Sequence, residues 1–255
     1  MESERLKVET RDGVARVILN RPDVRNALDA ALLRELRQAF DVLARDPGLR
    51  SVVIEGAGKV FCAGADVQAM TAGDPRADAK ALAEVLGAID AFPAPVFGRV
   101  QGAAMGGGSG LVAVCDAVVA AEDAKFAFSE VKLGIVPGVI SAFVVPKIGA
   151  SQARRYFLTA EAFPAARARE IGLVHEVVPA DRLDAVIQDW TTAVRNNGPK
   201  AVAAAKALIR QGAGLDRDAL LALGVDTITF VREGEEAKEG LRAFLEKRPP
   251  NWILR

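Results

Sequence analysis

The sequence predicts an α/β fold in which pairs of short strands alternate with helices and the chain closes in a helical C-terminal stretch. Three observations carry this. Short apolar, β-branched runs recur between segments with helical spacing of apolar residues. Their order is strand, strand, helix, several times over, which indicates a coiled ββα stack and not a doubly wound sheet. From Ser151 onward helix signals dominate. No residue-level repeat accompanies the recurring order, so the stack is argued from element order alone.

Val14-Ala15-Arg16-Val17-Ile18-Leu19 reads as a strand, closed by Asn20-Arg21-Pro22-Asp23. Asp29 is placed to cap a helix whose stripe is Leu32, Leu33, Leu36, Phe40 and Leu43. Asp46-Pro47-Gly48 ends it. Ser51-Val52-Val53-Ile54-Glu55 is too apolar for a strand wetted on one face and belongs in a covered sheet. Residues 56–59 turn the chain into Val60-Phe61-Cys62-Ala63-Gly64-Ala65-Asp66. A polar break at 71–76 precedes an alanine-rich helix running to about Phe92.

An extended run, Pro95-Val96-Phe97-Gly98-Arg99-Val100, then leads through a glycine-rich turn to a buried helix at 111–115. Residues 117–121 and 124–128 read as two more strands. Ser151, Pro164, Asp181 and Pro199 mark helix starts, and 174–178 is the one strand among them. Residues 216–246 read as two helices broken near Glu233-Gly234. Their apolar stripe has to pack on the core or on a neighbouring subunit.

Composition narrows the function. The 255 residues, 51% hydrophobic, bury a large core in one domain or a domain with an appendage. Lys plus Arg number 33 and Asp plus Glu 33, which lacks the basic excess of a nucleic-acid binder. No apolar run approaches the ~20 residues of a membrane span, and Met1-Glu2-Ser3-Glu4-Arg5 has no signal-peptide core. Two cysteines, Cys62 and Cys115, make no disulfide framework, so a cytoplasmic location is expected. One histidine and no CxxC argue against a zinc site.

The chemistry centres on Gln101-Gly102-Ala103-Ala104-Met105-Gly106-Gly107-Gly108-Ser109-Gly110. A strand, a glycine turn and a helix start put bare N–H groups at the positive end of a helix, which makes an anion site. Three glycines remove the side chains that would hold a ligand off that backbone. The anion is either a phosphate or one that exists only during a reaction. GxxxxGK[ST] is absent, and GxGxxG would need a glycine at Leu111. A nucleophile elbow fails because Gly107-Gly108-Ser109-Gly110 is followed by that same leucine. His175 stands alone and is read as structural. A second corner, Phe61-Cys62-Ala63-Gly64-Ala65-Asp66, also follows a buried strand and precedes a helix. Two corners each supplying one N–H make an oxyanion hole.

With these two corners the sequence resembles the enoyl-CoA hydratase/isomerase (crotonase) family. The resemblance rests on RPxxxNAL (Arg21, Pro22, Asn26, Ala27, Leu28), on FCAGAD at 61–66, and on the triple glycine with its helix ending Cys115-Asp116. It extends through Ser129-Glu130, Leu133-Gly134-Ile135-Val136-Pro137-Gly138 and the ending Phe244-Leu245-Glu246-Lys247-Arg248-Pro249, over nearly the whole chain. It implies a crotonase-type ββα spiral over residues 1–195 and a helical C-terminal segment, 196–255, used to form a homotrimer or a dimer of trimers.

The resemblance implies that a thioester carbonyl accepts the backbone N–H groups of Ala65 and Gly107, with Glu130 as general acid and base. It places Ala27, Ala63, Ala65, Asp66, Val67 and Gly107 along an acyl-CoA substrate and sends Lys247 to a coenzyme A phosphate. No cofactor is implied, since coenzyme A is part of the substrate. Cys62 and Cys115 are expected to be buried fillers, and the Arg154-Arg155 pair a helix surface.

One departure matters most. Family hydratases hold a water between two glutamates; the second matches Glu130, while the first falls on Gly110. Family isomerases often shift a double bond with a single glutamate at the Glu130 position. A branch that lacks the first glutamate is similar to this chain at 134–141 and 153–161, and it is associated with methylglutaconyl-CoA hydration in leucine breakdown. Hydration of a branched or carboxylated enoyl-CoA is therefore expected, with double-bond isomerisation and non-catalytic acyl-CoA binding as the alternatives. Fold alone also leaves lyase and dehalogenase chemistry open. Ser109 or a substrate carboxylate could replace the missing partner, and Gly110→Glu would restore it if the site has room.

Overall fold

The structure is a computed structural model, and it describes residues 3–253. Met1 and Glu2 of the expected leader comparison lie outside the described residues. β1 (Leu6–Arg11) and β2 (Val14–Leu19) form an antiparallel hairpin, turning at Asp12 and Gly13 with φ of 50° and 75°. α1 (Ala30–Leu43) is capped by Asp29, whose carboxylate accepts Leu32 N–H at 2.7 Å. It buries Leu32, Leu33, Leu36, Ala39, Phe40 and Leu43 on one face, as its spacing predicts.

β3 (Ser51–Gly56) is buried along its whole length and pairs parallel with β2, which explains its lack of alternation. The expected polar break is narrower than 71–76. α2 (Val67–Ala72) and α3 (Pro75–Asp90) leave only Gly73 and Asp74 between them, because Asp66 and Asp74 each cap the helix that follows. β4 (Val96–Val100) lies parallel beside β3.

After β4 the chain leaves the first sheet. β5 (Ala103–Met105), inside the glycine-rich stretch, begins a second sheet and delivers the chain to α4 (Gly107–Val114). β6 (Ala117–Ala121) returns to the first sheet beside β4, and β7 (Lys125–Ala127) pairs parallel with β5. This alternation between two sheets is the coiling that the strand, strand, helix order indicates.

Helix α5 (Gly138–Thr159) starts well before the expected Ser151. Ile140, Val144 and Ile148 are its buried stripe, and Gly149 breaks its regularity with φ 76° and ψ 153°. Ser151 thus opens only the second half, after the kink. β8 (Phe163–Pro164), too short to leave a period-2 signal, closes the small sheet in the order β5-β7-β8. α6 (Ala165–Glu170) begins just after Pro164, and β9 (Glu176–Val178) completes the large sheet, β1-β2-β3-β4-β6-β9. His175 precedes β9. Its Nδ1 accepts Val118 N–H at 3.0 Å, a structural role as expected, and burial pushes its pKa down.

α7 (Leu183–Arg195) covers β4 and β6. α8 (Pro199–Gly212), α9 (Arg217–Glu233) and α10 (Glu235–Leu245) pack on one another, broken at Gly234 as expected. They return to the body through Lys206, which pairs with Asp116 at 2.7 Å, and through Arg50, which donates to Trp252 O at 2.6 Å. Among the described residues no helix is long and apolar enough to cross a membrane.

Candidate active site

Both glycine corners meet. The first runs alongside Leu28: Leu28 N–H donates to Gly64 O at 2.8 Å, and Asp66 N–H donates to Leu28 O at 2.9 Å. In such a parallel bridge Leu28 bonds the residues on either side of Ala65, so Ala65 turns its own N–H to the opposite side. The second corner begins at Gly106, whose N–H donates to Ala127 O at 2.9 Å. Its φ of 49° then launches α4, and the first α-helical bond runs from Gly110 N–H to Gly106 O. Gly107 is therefore one of the orphan donors of a helix start. Among the described residues neither Ala65 N–H nor Gly107 N–H donates to another backbone group.

Contact between the corners is backbone on backbone. A Cβ on Gly64, where φ is 92°, would lie 2.6 Å from Met105 O and 3.5 Å from Gly107 N. One on Gly107 would stand 3.9 Å from Ala65 N and 3.2 Å from Leu28 Cδ1. One on Gly108 would meet Cys62 O at 2.5 Å. Gly64 and Gly108 are required because the opposing main chain occupies the place of a side chain, whereas at Gly107 a Cβ would chiefly crowd the Leu28 methyl.

Arg21 and Asn26, quoted above only as part of a motif, hold the first corner in place. Asn26 is fully buried at φ 57°, a left-handed conformation that asparagine tolerates. Its amide donates to Val60 O at 2.7 Å and Ala57 O at 2.9 Å, and its Oδ1 accepts Arg21 N–H at 2.9 Å. Its carbonyl accepts the Cys62 thiol at 3.2 Å, and Ala63 N–H donates to Arg25 O at 2.9 Å. The Arg21 guanidinium spans Asp29 at 3.1 Å and Asp66 at 3.2 Å and also donates to the carbonyl of buried Ala27. Cys62 and Cys115 are buried fillers as expected, and burial pushes both thiols up to about 12.

Glu130 stands over the second corner. It opens a short 3₁₀ turn that ends at Gly134, φ 73°. A Cβ on Gly106 would lie 3.2 Å from Glu130 Oε1, so the carboxyl group rests on bare glycine. Its Oε2 is buried without a hydrogen-bond partner among the described residues, and burial raises its pKa above the ordinary carboxylate value. A desolvated, unpartnered oxygen on a carboxyl group that rests on Gly106, next to Gly107, is available to a water or a substrate proton.

The place of the absent glutamate is closed. A Cβ on Gly110 would lie 2.4 Å from Ile140 Cγ2 and 3.5 Å from Leu86 Cδ1. Ile140 is buried on α5, so there is no room for the restored side chain considered above. Ser109 does not substitute either. It is fully buried, and its hydroxyl lies 2.7 Å from Ala104 O and 3.0 Å from Ala127 O, which use its single proton.

The remaining expected residues divide. Ala63, Asp66 and Val67 adjoin the Ala65 corner; Asp66 caps α2 through Ala69 N–H at 3.3 Å, and Val67 is half exposed. Lys247 lies two residues past the end of α10 at φ 54°, beside the helical segment that packs on α8 and α9, and among the described residues nothing joins it to the corners. Arg154 and Arg155 are exposed on α5, Arg155 paired with Glu161. Among the described residues no group of three His, Cys, Asp or Glu side chains is placed to hold a metal ion.

Two unused amides from touching corners, close to one desolvated carboxyl group, form an arrangement of the kind that can stabilise an acyl oxyanion through the backbone. Comparison with known proteins agrees. Residues 9–254 match the enoyl-CoA hydratase/isomerase family, and the chain belongs to that family. It is 34% identical to the crotonyl-CoA hydratase of Syntrophomonas wolfei, over 99% of both chains. It is also 34% identical to the 2,3-dehydroadipyl-CoA hydratase of Escherichia coli, over 97% of this chain and 98% of the relative. The crystal structure of an enoyl-CoA hydratase from Shewanella pealeana superposes with a TM-score of 0.93 at 38% identity, covering 97% of this chain and 96% of that one. The two-sheet coil described above is thus the crotonase-type fold.

Proposed function

We propose that the protein is an enoyl-CoA hydratase-like enzyme that adds water reversibly to an α,β-unsaturated acyl-CoA. The observation that carries this is the contact of the Ala65 and Gly107 corners, with the Glu130 carboxyl group packed against Gly106 of the second corner. The thioester oxygen accepts both N–H groups. As charge collects on it, donors fixed beforehand favour the transition state over the ground state, and the α4 N-terminus adds its partial positive charge.

Glu130 as carboxylate takes one proton from water while the water oxygen bonds Cβ. The π electrons move to the thioester oxygen as the enolate. The enolate then collapses, and Glu130 returns a proton to Cα. One hydrogen and one hydroxyl are added, and the carboxylate is regenerated. Burial keeps the Glu130 pKa raised, which brings proton uptake and return closer in energy.

A second reading has its own observation. With Ile140 closing the Gly110 side and the Asp66 carboxylate taken up by Arg21 and Ala69 N–H, Glu130 is, among the described residues, the carboxyl group at the corners that keeps an oxygen without a partner, and one carboxyl group suffices to carry a proton from Cγ to Cα as an isomerase. The substrate is proposed as branched or carboxylated, methylglutaconyl-CoA among the candidates, on the sequence resemblance. The names of the two hydratase relatives support hydration. A homotrimer or dimer of trimers is proposed on the same resemblance, with Lys247 serving a neighbouring subunit. Exposed Leu221, Ile228, Phe230, Phe244 and Leu245 on α9 and α10 support burial against a second copy.

The test is incubation with crotonyl-CoA and with methylglutaconyl-CoA, following loss of the conjugated thioester absorbance and the mass of the product. Gain of one water supports the hydratase. A moved double bond without water uptake replaces it with the isomerase, and no turnover of either ester contradicts the proposal.

A further inference from the structure

Helix α4 is held at both ends by α5. Ile140 lies against Gly110 in the first turn, and two turns later in α5 Lys147 reaches the other end. The Lys147 ammonium donates to Ala113 O at 3.1 Å and to Cys115 O at 2.5 Å. These belong to the carbonyls that a helix leaves without intrahelical partners at its C-terminus. The neighbouring ones are otherwise served: Cys115 N–H donates to Val112 O at 3.3 Å and its thiol to Leu111 O at 3.2 Å.

Lys147 is partly buried and makes no ion pair among the described residues. The charged and titratable groups facing it are Cys115 and Asp116 beyond α4, Asp90 at the end of α3, and His175 before β9. Asp116 is engaged elsewhere, by Lys206 of α8 at 2.7 Å and by Val96 N–H at 2.6 Å. The ammonium is therefore bound to the end of α4 and not to an acid. Burial lowers its pKa from the ordinary lysine value.

We propose that Lys147 is a positioning residue for the oxyanion hole, fixing through the C-terminal carbonyls of α4 the helix whose first amide is Gly107. The role rests on the reading of Gly107 as an oxyanion donor. Two effects act together. The two hydrogen bonds set where α4 ends against α5, and so where its first turn meets the Ala65 corner. The cation also complements the negative end of the helix dipole, so the dipole at Gly107 is kept and not offset. Eight residues span about 12 Å, and a unit charge at that distance, in an effective dielectric of about 20, changes the rate of forming an oxyanion about tenfold.

The experiment compares the full-length parent, Lys147→Met and Lys147→Arg with crotonyl-CoA, measuring kcat, KM and Tm. The expected result is kcat about tenfold lower in Lys147→Met with KM within about twofold, and near-parental kcat in Lys147→Arg. A folded Lys147→Met enzyme with parental kcat overturns the role, however much its Tm falls. If that variant does not fold, the pH profiles decide. The parent should lose kcat as pH rises through the lowered pKa of Lys147, whereas Lys147→Arg stays charged and keeps its activity. Coincident alkaline limbs overturn the proposal. A parent with no turnover removes the reading beneath it, while an active parent matched by Lys147→Met removes only the role of Lys147.

Discussion

The two amides proposed as an oxyanion hole are delivered to neighbouring corners by different routes. Gly107 is delivered by regular structure: it is the first residue of a buried helix, its N–H is free because every helix start has free N–H groups, and glycines admit the opposing backbone. Ala65 is the exposed residue of an irregular loop whose Phe61, Cys62 and Gly64 are buried, and its orientation depends on side chains far away in sequence. Asn26 ties Ala57 and Val60 to Arg21, and Arg21 ties Asp29 to Asp66. A helix end aims a donor with few residues. A loop needs a buried polar network, each member satisfied, to do the same.

The largest expected effect removes what both corners serve. Glu130→Gln should lower kcat by about 100- to 10,000-fold while acyl-CoA binding persists, measured by turnover and by ligand titration. The sign of its stability effect follows from burial. A carboxyl group whose folded pKa is raised contributes stability below its unfolded pKa and loses it as pH rises through the folded value. At pH 7 glutamine should leave the Tm unchanged or higher than the parent's, and a melting series should show the gap widening as pH rises. A marked loss of Tm at pH 7 would mean that the carboxyl group has partners that hold the fold.

Next comes the junction itself. Gly64→Ala puts a Cβ 2.6 Å from Met105 O at a φ of 92°, forcing the corners apart. Loss of one donor's alignment should cost about 100- to 1,000-fold in kcat. Asn26→Gly sharpens the contrast between the corners, since it keeps the left-handed backbone and removes only the side-chain bonds. Unsatisfied Ala57 and Val60 carbonyls cost about 1–3 kcal/mol each, read as a lowered denaturation midpoint, and kcat should fall about tenfold with the Gly107 corner intact. An unchanged kcat would show that the Ala65 loop holds its aim without the clamp. The smallest effect on chemistry belongs to the closed side. Gly110→Glu should give no gain in hydration and a Tm several degrees lower, because its Cβ would lie 2.4 Å from Ile140 Cγ2. Pairing it with Ile140→Ala should recover part of the loss.

The same contrast explains what could be read from the chain. The Gly107 corner is legible because glycine spacing after an apolar strand is a local pattern. α1 and β3 are legible for the same reason, through a 3.6-residue stripe and a continuous apolar run. β5 and β8 are not, being three and two residues long. The start of α5 is hidden because Gly138 at its first position and Pro146 inside it interrupt the helical signal. Neither the Asn26 clamp nor the meeting of Ile140 with Gly110 leaves any mark along the sequence. Partners 31, 34 and 30 residues apart are brought together only by the coil, and a missing glutamate looks like open space until the residue that fills it is placed.

The central claim is that the Ala65 and Gly107 N–H groups share one oxygen. A crystal structure with acetoacetyl-CoA tests it directly. The thioester oxygen should accept both N–H groups at about 2.7–3.1 Å, with the Glu130 carboxyl group facing the acyl carbons. An oxygen bound to one amide alone, or an acyl group turned away from Glu130, would contradict the account.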